Sequence, residues 1–184
     1  MRQVVDTYNV YKFEELSEEA KKVALGKLYD VNVAFDWWAT TYEDLDSQLD
    51  IEVESFDLGR GWLTTVEEKF FEKCINQKLV EYFKNSNITI AVSNYEEALK
   101  KLDQNTDLQN KYYEDSEKLD TLIDESRELE DNYLDSIARV KLEVEAAIHS
   151  ILWNEYEYLT SEEAIIETIE ANEYEFYKSG IVYI

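Results

Sequence analysis

The run Leu108-Gln-Asn-Lys-Tyr-Tyr-Glu-Asp-Ser-Glu-Lys-Leu-Asp-Thr-Leu-Ile-Asp-Glu-Ser-Arg-Glu-Leu-Glu-Asp-Asn-Tyr133 decides how this chain folds. Its apolar residues (Leu108, Tyr112, Leu119, Leu122, Ile123, Leu129 and Tyr133) recur mostly at steps of three and four. The series continues through Ile137, Val140, Val144, Ile148 and Ile151. Such steps place one apolar stripe along an α-helix. No glycine lies between Gly61 and Gly180, and the chain has no proline, which favours long helices over tight turns. The reading is a long helical hairpin over 106–158, with a break near Asn105 and a further one near Asp131-Asn132. A dimeric coiled coil, and with it a homodimer, stays open, although the apolar seam is irregular for one.

The charged positions of the same run are mostly acidic. Glu114, Asp115, Glu117, Asp120, Asp124, Glu125, Glu128, Asp131 and Asp135 are interrupted by only Lys118 and Arg127. Tyr112 and Tyr113 precede them, and Tyr156 and Tyr158 follow on the same helical region. These thirteen residues form the candidate partner-binding set, with the tyrosines as aromatic anchors.

Toward the C-terminus, Thr160 with Glu163 reads as a capping box. Ala164, Ile165, Thr168, Ile169 and Asn172 then recur at helical spacing. The end, Tyr174 to Ile184, reads as strand, turn at Ser179-Gly180, and strand. Toward the N-terminus, Ile88 to Val92 reads as a short strand, with Asn94 and Glu97 capping the helix that follows. Ile51 to Leu58 alternates cleanly and pairs with Trp62 to Thr65 across Gly59-Arg60-Gly61 as a hairpin. Thr65 with Glu68 reads as the cap of a helix reaching Lys84. Ser17 caps a helix opening Glu18-Glu19, Ala39 to Leu45 starts another, and Val4 to Phe13 is a strand. Of Trp37 and Trp38, regular structure would turn one inward and leave the other partly exposed. The fold class is therefore α+β and helix-rich. A small antiparallel sheet would gather the N-terminal, 51–65, 88–92 and C-terminal strands. One domain is expected over 1–184: an α+β part (1–104), the hairpin (105–158), and a helix with terminal strands (159–184).

Length and composition agree. The 184 residues suffice for one sizeable core. A hydrophobic fraction of 45% is too high for a disordered chain. The net charge of −24 repels bare nucleic acid, whose phosphates need lysine and arginine. It suits either a solvated coat or a surface complementary to a basic groove. The single cysteine, Cys74, excludes an internal disulfide and, among Phe70, Phe71, Ile75 and Leu79, reads as a buried thiol. The start lacks the apolar core of a signal peptide, and no run is long enough to span a membrane, so a cytoplasmic protein is expected.

Two blocks resemble a known family. The first is Tyr11-Lys-Phe-Glu-Glu-Leu-Ser-Glu-Glu-Ala-Lys21 with Phe35-Asp36-Trp37-Trp38 and Tyr42-Glu43-Asp44. The second is Glu155-Tyr-Glu-Tyr-Leu-Thr-Ser-Glu-Glu-Ala164 with Glu167-Thr168-Ile169 and Ala171-Asn-Glu-Tyr-Glu-Phe176. In this order they resemble small proteins of phages, prophages and plasmids labelled as the antitoxin of a toxin–antitoxin stability system. The middle departs: of that family's glycine- and tryptophan-rich segment, only Phe56-Asp-Leu-Gly-Arg-Gly-Trp62 is left as a trace. The resemblance implies a mobile-element gene, a bacterial host and a role in conflict with host defence.

No catalytic grammar is legible. His149 is the only histidine and reads as a packed helical side chain, so a zinc site is not expected. Neither a phosphate-binding glycine loop nor a calcium loop is present. Asp44, Asp46, Asp50 and Glu52 are the best magnesium cluster, better explained by the abundance of acids. The expectation is a protein without enzymatic activity, cofactor or metal. It would inhibit a nucleic-acid-targeting defence system, by anti-CRISPR or antirestriction action. Its partner would be a basic nucleic-acid-binding protein of the host, with no direct contact to nucleic acid or membrane. The alternative is an antitoxin that sequesters a toxin; a metal-dependent nuclease is remote.

Overall fold

The computed structural model describes residues 7–59, 63–67 and 71–183. It is helix-rich α+β: the described residues are 67% helical, in seven α-helices and one 3-10 turn, with one two-stranded antiparallel sheet. The chain divides into two compact units, 1–39 with 153–184, and 40–152.

The first unit joins the two ends of the sequence. After a 3-10 turn (Phe13–Glu15), Ser17 accepts from the Ala20 amide and starts α1 (Glu18–Lys27). Ser161 caps α7 (Glu162–Ala171) in the same way, accepting from Ala164. The expected cap, Thr160, instead donates to the Tyr156 carbonyl and closes the preceding helix, so the start lies one residue later. Phe13, Leu16, Ala20, Ala24, Ile165, Ile169 and Phe176 form the core. Terminal strands do not form among the described residues. Tyr11 bridges Phe176, and Phe176 bridges Val182, as isolated antiparallel pairs. The 3-10 turn at Phe13 ends the first segment and the turn at Tyr177–Gly180 splits the last, leaving no ladder longer than one pair. Val4 and Val5 lie outside the described residues.

Trp37 and Trp38 are both half-buried and stack edge-on, centroids 5.7 Å apart. They sit in a turn, so the alternation that would have sent one inward does not apply.

In the second unit, α2 (Ala39–Leu49, from Thr40) leads to the hairpin of β1 (Val53–Asp57) and β2 (Leu63–Val66). Val53 pairs with Val66 and Asp57 with Leu63, and the Ser55 and Thr65 hydroxyls meet at 2.8 Å. Thr65 is thus a strand residue and not a cap; Glu68 lies outside the described residues. The single helix expected to reach Lys84 is two, α3 (Phe71–Cys74) and α4 (Gln77–Phe83), because the Asn76 side chain turns back to cap Lys78.

The expected strand at 88–92 is the first turn and a half of α5 (Ser86–Lys111). Asn85 accepts from Asn87 and Ile88, an N-cap nine residues earlier than the one expected at Asn94. Ile88, Ala91, Val92 and Tyr95 are buried together at i, i+3, i+4 and i+7; helical register outweighs the β-branched composition. The break of the hairpin falls at 112–115, not at Asn105, which is inside α5 and buried. α6 (Ser116–Leu159) runs through Asp131-Asn132 without interruption. The hairpin therefore begins at Ser86. Residues of α6 up to Leu152 belong to the second unit, and Trp153–Leu159 to the first.

Candidate functional site

An α-helix turns about 100° per residue, which fixes where the carboxylates of α6 project. Glu117, Asp120, Asp124, Glu128, Asp131 and Asp135 step by 3, 4, 4, 3 and 4 and fall within about 80° of one another around the axis. All six are exposed. They make a single ridge of about 27 Å, roughly one charge per 5 Å, against one per 3.4 Å along a DNA strand. Glu125 lies on the neighbouring flank. Glu114 and Asp115 sit in the connection, where Asp115 accepts from the Lys118 amide at 3.3 Å. Cations do little to cancel the ridge. Between Ser116 and Asp135 eight carboxylates face two bases, and the Arg127–Asp124 pair (3.3 Å) is exposed on both sides.

At the hairpin tip, the Lys118 ammonium lies 3.7 Å from the centre of the Tyr112 ring, and Lys111 lies 5.2 Å from it. Hydrogen bonding and charge from Lys111, then from Lys118, pull the Tyr112 phenol below its ordinary pKa. Tyr113 is 68% exposed and donates to Glu114 at 2.7 Å, which pushes its phenol up. Tyr112 and Tyr113 thus stand beside the acidic ridge in one unit.

Tyr156 and Tyr158 belong to the other unit. Tyr156 packs by Trp37 and Trp153, ring centroids 5.9 and 6.4 Å away, and its hydrogen bond with Tyr29 raises its pKa ahead of burial. Tyr158 is exposed and donates to Glu167 at 3.4 Å; the charge of Glu167 raises its pKa. The thirteen candidate residues therefore divide between the two units, eleven in the second and Tyr156 and Tyr158 in the first.

The second unit also carries a groove of about 700 Å³ between α5 and α6. Ala91, Ala98 and Leu129 are its apolar lining, and Glu125, Glu128 and Asp135 line its α6 side. Lys101 and Arg139 are its cations, each already held by a glutamate on its own helix: Glu97 at 2.7 Å and Glu143 at 2.9 Å. Sequence reading missed this groove. Its signal was there: Ala91, Asn94 and Ala98 put short side chains on one face of α5.

His149 is buried, and its Nδ1 lies 3.2 Å from the Thr64 hydroxyl, a structural contact between β2 and α6. Cys74 is buried and its thiol donates to the Asp50 carbonyl at 3.2 Å; burial, then the Asp50 charge, raises its pKa. Among the described residues no group of three or more histidine, cysteine or acidic side chains is placed to hold a metal ion, and that includes Asp44, Asp46, Asp50 and Glu52. Nor is any described helix long and apolar enough to cross a membrane.

No family model, curated protein or solved structure matches this chain.

Proposed function

We propose that this chain is a stoichiometric inhibitor that binds a basic, nucleic-acid-handling protein of a bacterial defence system, a CRISPR effector or a restriction enzyme. The observation that carries the reading is the ridge of Glu117, Asp120, Asp124, Glu128, Asp131 and Asp135. A solvated coat needs no order, whereas a surface competing with phosphate needs its charges in file. Lysines and arginines spaced to follow a nucleic-acid backbone would meet this file instead. Long-range attraction would speed encounter, and packing at Tyr112 and Tyr113 would set the lifetime. The phage or plasmid setting implied by the sequence resemblance supports the same role.

The test is capture from bacterial lysate by the tagged chain, at about 0.1 M and about 0.5 M salt, where screening shortens from about 10 Å to a few ångströms. The control replaces all six ridge carboxylates by amides. The expected result is retention of a defence nuclease that is lost at high salt and lost in the amide variant. Retention indifferent to both would overturn the reading. A retained toxin would instead favour the antitoxin function that the resemblance also implies.

A further inference from the structure

We infer that the groove between α5 and α6 seats one face of a lysine- and arginine-bearing helix of the partner, which deepens the inhibitor reading and rests on it. Three features of the groove select this occupant.

The first is length. The lining runs from Ala91 to Lys101 on α5 and from Glu125 to Arg139 on α6. At 1.5 Å per residue these walls are about 15 and 21 Å long, three to four turns of a helix laid alongside. The second is the lining. Ala91, Ala98 and Leu129 offer apolar surface, and the short side chains of Ala91, Ala98 and Ser136 let another helix come close. A small hydrophilic polycation would leave that surface unused; an amphipathic helix covers it.

The third is charge. Glu128 and Asp135 belong at once to the acidic ridge and to the groove's α6 wall, and Glu125 stands beside them. These three make no ion pair among the described residues, whereas the groove's two cations are already paired. The wall therefore presents carboxylates to whatever enters. A second copy of this chain, at −24, and a nucleic acid are both repelled.

The probe is a fluorescein-labelled 14-residue helical peptide with leucines on one face and lysines and arginines flanking them. An isomer of identical composition scatters the cations around the helix. Anisotropy titrations at about 0.15 M salt compare wild type with Ala98→Trp, which fills the groove without altering charge, and with Glu128→Gln/Asp135→Asn. Asn94→Trp, at an exposed lining position, serves as a second block should Ala98→Trp fold poorly by circular dichroism. Expected is binding of the patterned peptide, weakened at least about tenfold by either tryptophan and by the amide pair, as when a central contact is removed. The scattered isomer should bind at least about tenfold more weakly. Equal binding of the two isomers, no effect of the tryptophans, or no binding would overturn the groove assignment. The inhibitor reading fails separately, when the six-amide ridge variant still captures its partner as wild type does.

Discussion

The side-chain amide of Asn105 on α5 donates to the backbone carbonyl of Leu122 on α6, 3.2 Å away, and both residues are buried. Gln109 reinforces it, its side-chain amide donating to the Asn105 side-chain oxygen Oδ1 at 2.6 Å and to the same Leu122 carbonyl at 3.4 Å. A buried polar cross-link fixes how two apolar helix faces slide against each other. Asn105→Ala should lower unfolding free energy by about 1–2 kcal/mol in urea titration. Gln109→Ala in that background should cost less than it does in wild type, because the partner it supports is already gone. Strict additivity would mean that the two amides do not act as one network.

The ridge that we propose for binding should weaken the fold that carries it. Its carboxylates lie three or four residues apart on one helix, where like charges repel by about 0.2–0.5 kcal/mol per pair at low salt. Raising sodium chloride from about 0.01 to about 0.5 M shortens the screening length below the spacing of the ridge. The urea midpoint should therefore rise with salt. With the six carboxylates changed to amides the response should flatten and the midpoint at low salt should rise. A wild-type midpoint independent of salt would show that the acids do not act on one another.

Legibility followed the kind of signal each segment carried. Ser17 was readable because its cap chemistry is local, and the helix expected to start at Ala39 does start there. Ile88–Val92 was not, since a run of β-branched residues suits a strand until the cap at Asn85 and the burial of Tyr95 set a helical period. Asn105 looked like a break because asparagine is neutral-to-poor inside helices; its partner, Leu122, is 17 residues away and invisible to local rules. The acidic residues were all named from sequence, but their alignment needed α6 to be one unbroken rod. A break at Asp131-Asn132 would have set Asp135 off the line. The same holds for Asn32, buried between the Leu159 carbonyl (3.0 Å) and the Thr168 hydroxyl (2.6 Å) of residues more than 120 positions on.

Gly180 is held against α1. Its φ is +84°, and a Cβ there would lie 2.1 Å from the Ala20 carbonyl oxygen. Gly180→Ala combines an unfavourable backbone conformation with a backbone clash, so a loss of more than about 1 kcal/mol is expected. Gly26, where a Cβ would meet nothing within 4 Å, is the control: Gly26→Ala inside α1 should stabilise by about 0.5–1 kcal/mol. Thermal melts of the two variants should move in opposite directions.

Cys74 should be slow to modify. Its thiol is buried, hydrogen-bonded to Asp50, and held above its ordinary pKa. The thiolate is the reactive form, so both access and ionisation oppose reaction. Labelling by an aromatic disulfide at pH 8 should be much slower in the native protein than in urea and should track the unfolding transition. Equally fast labelling without urea would place the thiol at the surface.

Tyr133 gives the fold an alkaline limit. Burial, then its hydrogen bond to Glu72, raises the phenol well above its ordinary value of 10.0, and it packs by Tyr95 with ring centroids 5.6 Å apart. Folding thus favours the protonated form. Below the unfolded value the contribution is fully present; as pH climbs past about 10 the unfolded chain gives up its proton while the folded one keeps it, and stability falls toward the folded pKa. Tyr42 and Tyr82, also raised by burial, add to the same slope. Tyr133→Phe removes one ionisable group and one hydrogen bond. It should cost about 0.5–1.5 kcal/mol at pH 8, where all these phenols are neutral. Between pH 10 and 11.5 it should lose stability less steeply than wild type. Urea midpoints for both proteins at pH 8, 10 and 11.5 decide it. Parallel losses for the two proteins would mean that the Tyr133 hydroxyl ionises as freely in the folded chain as in the unfolded one.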